Sequence, residues 1–171
     1  MMVVPMDQSA FYAIVSAVNF TLLGLWWVAV KDKPKITGKR TAYLVGLNFS
    51  VLATISLFAQ VAPDLPIVWR LTFGAAGLIG VLSTVLLARD LRASAPRAAI
   101  AIGIAGVVLY IGMLAVAVLA DVLKSAGVAP IQVEAFLVCA VAFLGVQVAW
   151  VVNMSASPVE TPPQQPVATL H

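Results

Sequence analysis

Charge, histidine and cysteine are what this sequence has least of. Charged residues make up 10% of the 171-residue chain and hydrophobic residues 62%, whereas a soluble domain carries about 25% charge. That balance excludes an ordinary water-soluble globule. It also excludes a disordered chain, which stays unfolded through low hydrophobicity and high net charge. One cysteine leaves no disulfide framework and no thiolate metal cluster. One histidine, His171, leaves no bis-histidine haem and no histidine-rich metal site. The formal net charge of +3 is basic, but the placement of the charges says more than their sum.

What is present is a series of long apolar runs. Stretches free of Asp, Glu, Lys and Arg cover Gln8–Val30, Thr41–Pro63, Leu71–Ala88, Ala98–Ala120 and Ala135–Asn153. Crossing a bilayer as helix takes about 20 mostly apolar residues, since the hydrocarbon core is about 30 Å thick. Lipid forces helix on such runs because their backbone groups must be satisfied internally. The runs are continuously apolar and lack the period-two alternation of a barrel strand. The expectation is an all-α bundle of five transmembrane helices within residues 1–154, with spans near 8–30, 41–63, 69–88, 98–120 and 134–153. The first run has no basic segment before it and is too long for a signal-peptide core, so it reads as a retained helix.

The basic residues set the expected orientation. Lys31, Lys33, Lys35, Lys39, Arg40, Arg89, Arg92 and Arg97 lie in the first and third connections, against Arg70 and Lys124 in the second and fourth. Basic residues stay on the cytoplasmic side of short loops, which puts the N-terminus outside and the C-terminus inside. Interfacial aromatics mark the boundaries: Phe11, Tyr12 and Trp69 outside, Trp26, Trp27, Tyr43 and Trp150 inside, with Tyr110 packed in the interior. Residues 155–171, with Pro158, Pro162, Pro163 and Pro166, read as a disordered Pro-rich cytoplasmic tail. The basic loop 31–40 attracts anionic lipid headgroups. Nucleic acid is not expected as a partner.

Small residues, which allow close backbone approach in lipid, form stripes. Ala42, Gly46, Ser50 and Thr54 recur every four residues on the second helix, and Thr72, Ala76, Gly80, Thr84 and Ala88 do so on the third. Residues four apart share a face, and the joining turn is short enough to make the two helices antiparallel neighbours. The matched stripes predict that these two form the tightest pair, with Ser50 near Gly80 and Gly46 near Thr84. On the fifth span, Ala135, Cys139, Ala142, Val146 and Ala149 make a heptad seam that Gly103 and Gly106 could receive.

The chemistry of a catalytic site is missing. The acids Asp7, Asp32, Asp64, Asp90, Asp121, Glu134 and Glu160 all lie outside the middle of a span. There is no paired-carboxylate acid and base, no Ser/His/Asp set and no metal-ligand cluster. No catalytic residue, metal or cofactor is expected. Mid-span polarity comes from Asn19, Asn48 and Gln147, each expected to make an interhelical hydrogen bond or, alternatively, to line a polar path. Arg70 at the start of the third helix and Asp121 at the end of the fourth each carry the wrong sign for the adjacent dipole. An Arg70–Asp121 ion pair would offset both mismatches. The functional expectation is a non-catalytic accessory, assembly or scaffolding subunit acting through helix contacts with other membrane proteins or as a homo-oligomer. The alternative is a small channel or uncoupled transporter for a small neutral solute. Alanine- and valine-rich helices with short loops suggest a bacterial inner membrane.

Overall fold

Three of the helices open on proline, where the missing N–H costs no hydrogen bond and the fixed φ suits a helix. The computed structural model describes residues 8–31, 38–61 and 65–155. Its helices are α1 (Gln8–Lys31), α2 (Lys39–Val61), α3 (Pro66–Leu91), α4 (Pro96–Val118), the short α5 (Ala120–Ser125) and α6 (Pro130–Ser155). Helix accounts for 92% of the described residues, and none of them lies in a strand. Five helices, all but α5, are long and apolar enough to cross a membrane. They overrun the charge-free runs because Lys39, Arg40, Arg70, Arg89, Asp90 and Glu134 are themselves helical. Residues 156–171 and most of the basic loop, 32–37, lie outside the described residues.

Glycine is required at two of the ends. Gly38 precedes α2 with φ 75° and accepts the Ala42 N–H at 3.0 Å. Gly127 follows α5 with φ 77°, and the Val128 N–H turns back to the Leu123 carbonyl at 2.9 Å. That six-to-one bond closes a helix through a left-handed residue.

Successive long helices run antiparallel. The α3–α4 interface is the most extensive, α1–α2 comes next, and α6 closes the bundle against α4 and α2. The starts of α1, α3 and α6 meet the ends of α2 and α4 at what we call the Arg70 end. The opposite, Arg40 end carries an ion pair between Arg40 Nε of α2 and Asp90 Oδ2 of α3 at 3.4 Å. Two apolar clusters fill the interior. One, at the Arg70 end, contains Tyr12, Phe73, Trp69 and Tyr110, with edge-to-face contacts joining Tyr12, Phe73 and Trp69. The other, at the Arg40 end, contains Trp26, Phe49, Leu87 and Val148. Tyr12, Trp26 and Trp69 are thus buried rather than set at the periphery, while Trp27, Tyr43 and Trp150 do face outward.

The structure corrects the expected helix pairing. Of the α3 stripe, Gly80, Thr84 and Ala88 turn to α4, not α2. A Cβ placed on Gly77 would lie 2.9 Å from the Tyr110 carbonyl oxygen, and one on Gly80 would collide with the Tyr110 ring. A Cβ on Gly106 would come within 2.5 Å of Thr84 Cγ2. On α2, Gly46 faces α1, where a Cβ would sit 3.2 Å from Trp27 Cζ2. The remaining members of the matched stripes, Ser50 and Thr54 with Thr72 and Ala76, line an open groove of about 370 Å³ between α2 and α3. Ala42 is buried, its carbonyl taking the Trp26 indole N–H at 2.8 Å. A short turn fixes which helices are neighbours but leaves each free to rotate about its axis. Here glycines receive large knobs: Tyr110 fills the space at Gly80, Trp27 that at Gly46, and Asn48 with Phe49 that at Gly145.

The expected α6 seam is also corrected, by one residue. The buried line is Glu134, Val138, Val141, Gly145, Val148 and Val152; of the expected seam Ala135 is buried, Ala142 and Ala149 are half-buried, and Cys139 and Val146 are exposed. The heptad spacing is kept, but the β-branched residues rather than the alanines supply it. Gly103 and Gly106 are taken up by Ala88 and Thr84 of α3.

Candidate functional site

Polar side chains enter the apolar interior on all five long helices. Along α1 the inward face carries Tyr12, Ser16 and Asn19, at steps of four and three. Ser16 Oγ donates across to the Ala53 carbonyl of α2 at 3.1 Å, and the Tyr12 hydroxyl reaches the Ile131 carbonyl of α6 at 3.3 Å. On α2, Asn48 Oδ1 accepts from the Tyr110 hydroxyl of α4. These bonds join different helices.

The three mid-span amides do not converge. Asn19 is buried, with Nδ2 donating to the Val15 carbonyl of its own helix at 2.9 Å. Asn48 sits against Tyr110 and Gly145, beside a narrow, partly open space of about 20 Å³ that Ser83 and Thr84 also border. That volume holds about one water molecule, and Asn48 Nδ2 has no protein partner among the described residues. Gln147 departs from the expectation altogether. It lies on the exposed flank of α6, because the buried seam passes through Gly145 and Val148 on either side of it.

Glu134 is the residue that sequence reasoning missed. It lies near the start of α6, outside the middle of the span, yet it is fully buried, and neither carboxylate oxygen has a hydrogen-bond partner among the described residues. The Tyr12–Ile131 bond lies one helical turn away. Ser56 of α2 is also fully buried with its hydroxyl unpartnered. A bare carboxylate in apolar surroundings is costly. The valines at 138, 141, 148 and 152 extrapolate back to position 134, but an equally regular line of Ala135, Cys139, Ala142 and Ala149 runs beside them.

At the Arg70 end the two sign mismatches resolve each other. Arg70 Nη1 lies 3.0 Å from Asp121 Oδ2. The same guanidinium donates from Nε to the Ala117 carbonyl at 3.1 Å and from Nη2 to the Val118 carbonyl at 3.2 Å. Although Arg70 belongs to the first turns of α3, its charge therefore rests on the C-terminus of α4, where a cation is favourable. Asp121 belongs to the first turn of α5, where an acid is favourable. The fourth apolar run was read as one span to residue 120, but α4 stops at Val118. The carbonyls that would have continued it are taken by Arg70.

Among the described residues, no three His, Cys, Asp or Glu side chains gather as metal ligands. No family model, curated protein or solved structure matches the chain. The class rests on architecture alone: an all-helical chain with five helices long and apolar enough to cross a membrane.

Proposed function

We propose that this chain is a multi-pass protein of a bacterial inner membrane, beginning outside and ending in the cytoplasm, that acts without catalysis through helix contacts with other membrane proteins. Membrane insertion is supported by the outward surface, where Ile14, Val28, Val61, Leu71, Val108, Phe136 and Trp150 are each more than half exposed. A water-soluble monomer rarely exposes so many large apolar side chains. The orientation follows from the basic residues, which gather on the first and third connections.

The observation that carries the accessory role is the use made of interior polarity. Trp26 binds the Ala42 carbonyl, Ser16 the Ala53 carbonyl, Tyr110 the Asn48 amide and Arg70 the end of α4. Each bond joins one helix to another, and Gln147 faces away from all of them. Polarity spent on internal ties suits a rigid scaffold more than a solute path. Purification in a mild detergent tests this reading. A stoichiometric membrane partner is the expected result, and a lone chain that passes a solute in liposomes would contradict it.

A second reading is favoured by Glu134. An ionisable group inside a bundle is a functional candidate by default, and proton- or ion-coupled transporters use such groups. On that reading, Glu134→Gln keeps the fold and abolishes proton-coupled uptake into vesicles. On the accessory reading, the same variant behaves as the parent in every assay.

A further inference from the structure

A wide groove lies on the exterior at the Arg40 end, between the last turns of α3 and the first turns of α4. It encloses about 660 Å³. Arg89 and Arg92 stand at its mouth, and Ala88 and Gly103 form a low floor where α3 and α4 come together. Apolar side chains, Ile104 and Val108 among them, line the rest.

Among the described residues, the charge at the mouth is not neutralised. Asp90, the acid nearest in sequence, is engaged by Arg40 of α2, and neither Arg89 nor Arg92 has a carboxylate within ion-pair distance among the described residues. Charge is confined to one end of the groove. From Ile100 to Val108 the lining follows α4 for about 12 Å at 1.5 Å per residue. The hydrocarbon of one leaflet is about 15 Å deep. A cationic head above an apolar trough of nearly leaflet depth matches an amphiphile with an anionic head and a long chain.

We propose that this groove is a binding site for an anionic phospholipid, with its phosphate between Arg89 and Arg92 and one acyl chain laid over Gly103 toward Val108. Guanidinium groups suit phosphate because their paired N–H donors match its oxygens. The small floor residues let the chain sit close to both helices, and the lipid fills a recess that protein leaves open. The site is distinct from the 31–40 loop, whose attraction for acidic headgroups is diffuse. It rests on membrane insertion but not on the accessory role, and insertion is checked separately by resistance to alkaline extraction.

The test uses the full chain, purified in mild detergent and stripped of lipid. Native mass spectrometry and thermal melts are recorded with phosphatidylglycerol, with phosphatidylcholine of the same chains, and with glycerol 3-phosphate alone. Phosphatidylglycerol should be retained and raise the melting temperature, while the other two should do neither. Arg89→Gln with Arg92→Gln should weaken retention by about tenfold or more, as expected for two basic contacts. Lys31→Gln with Lys39→Gln, which removes equal charge from exposed positions at the same end, should leave retention unchanged. Val108→Trp, which fills the trough at an exposed position, should lower retention with both arginines intact. Equal loss in the two charge-removal pairs would overturn the site, as would unaltered retention in Val108→Trp. Equal stabilisation by glycerol 3-phosphate would show an anion site with no lipid specificity.

Discussion

The α3–α4 and α2–α3 interfaces start from the same material and end differently. Both use α3, with its small residues at every fourth position, against a partner that also carries small residues, and both pairs are joined by short connections. Between α3 and α4, Gly80 lies under Tyr110 and Gly106 under Thr84, and at Gly77 the backbones approach until no Cβ fits. Between α2 and α3 the small residues border an open groove. A small residue permits close approach but does not cause it. The cause is a complementary knob on the partner, and α4 supplies Tyr110 where α2 offers α3 nothing comparable. Close packing of this kind is what holds helices together once the hydrophobic effect no longer separates them from their solvent.

Substitutions that close these spaces should therefore differ sharply. Gly80→Leu should have the largest effect, about 3 kcal/mol or outright failure to fold, because Tyr110 is fully buried and has no room to retreat. The check is the folded fraction in a detergent melt. Arg70→Gln should come next, at about 1–2 kcal/mol, because the guanidinium serves two carbonyls at the end of α4 as well as Asp121. Asp121→Asn should cost clearly less, since that side chain is 75% exposed. Comparing the two melts separates capping from ion pairing. Gly46→Leu should cost about 1 kcal/mol, because its neighbour Trp27 is partly exposed and free to swing outward. Thr54→Leu should change stability by less than about 0.5 kcal/mol, because it projects into open groove. A Thr54→Leu variant as damaged as Gly80→Leu would show that α2 and α3 pack as closely as α3 and α4.

The number, order and approximate ends of the long helices were legible in the sequence, because a charge-free run of bilayer length reports directly on a helix. The faces were not. A helix that is apolar all round gives no amphipathic stripe to orient it, so Gly46 and Gly80 offered no means of choosing between neighbours. The same uniformity hid Glu134. Its seam of valines ran beside an equally regular line of Ala135, Cys139, Ala142 and Ala149, and only the packed structure distinguishes them. Residues carrying contrast were easier to place. Arg70 and Asp121 stood out by sign, and the structure puts them 3.0 Å apart. Tyr110 stood out as an aromatic in mid-helix, and it lies at the centre of the bundle. Gln147 carried contrast too, but its helix presents that side to the exterior.

That five helices cross a membrane, the first entering from outside, is tested most directly by labelling single cysteines with an impermeant thiol reagent in intact cells. Native Cys139, exposed on α6, is first replaced. Ser94 lies in the exposed turn between α3 and α4 at the Arg40 end, and Ser125 closes α5 at the Arg70 end. Ser125→Cys should react from outside, and Ser94→Cys should react only after the cells are opened. Labelling of Ser94→Cys in intact cells with Ser125→Cys protected would reverse the orientation, and equal labelling of both would contradict the membrane-spanning account itself.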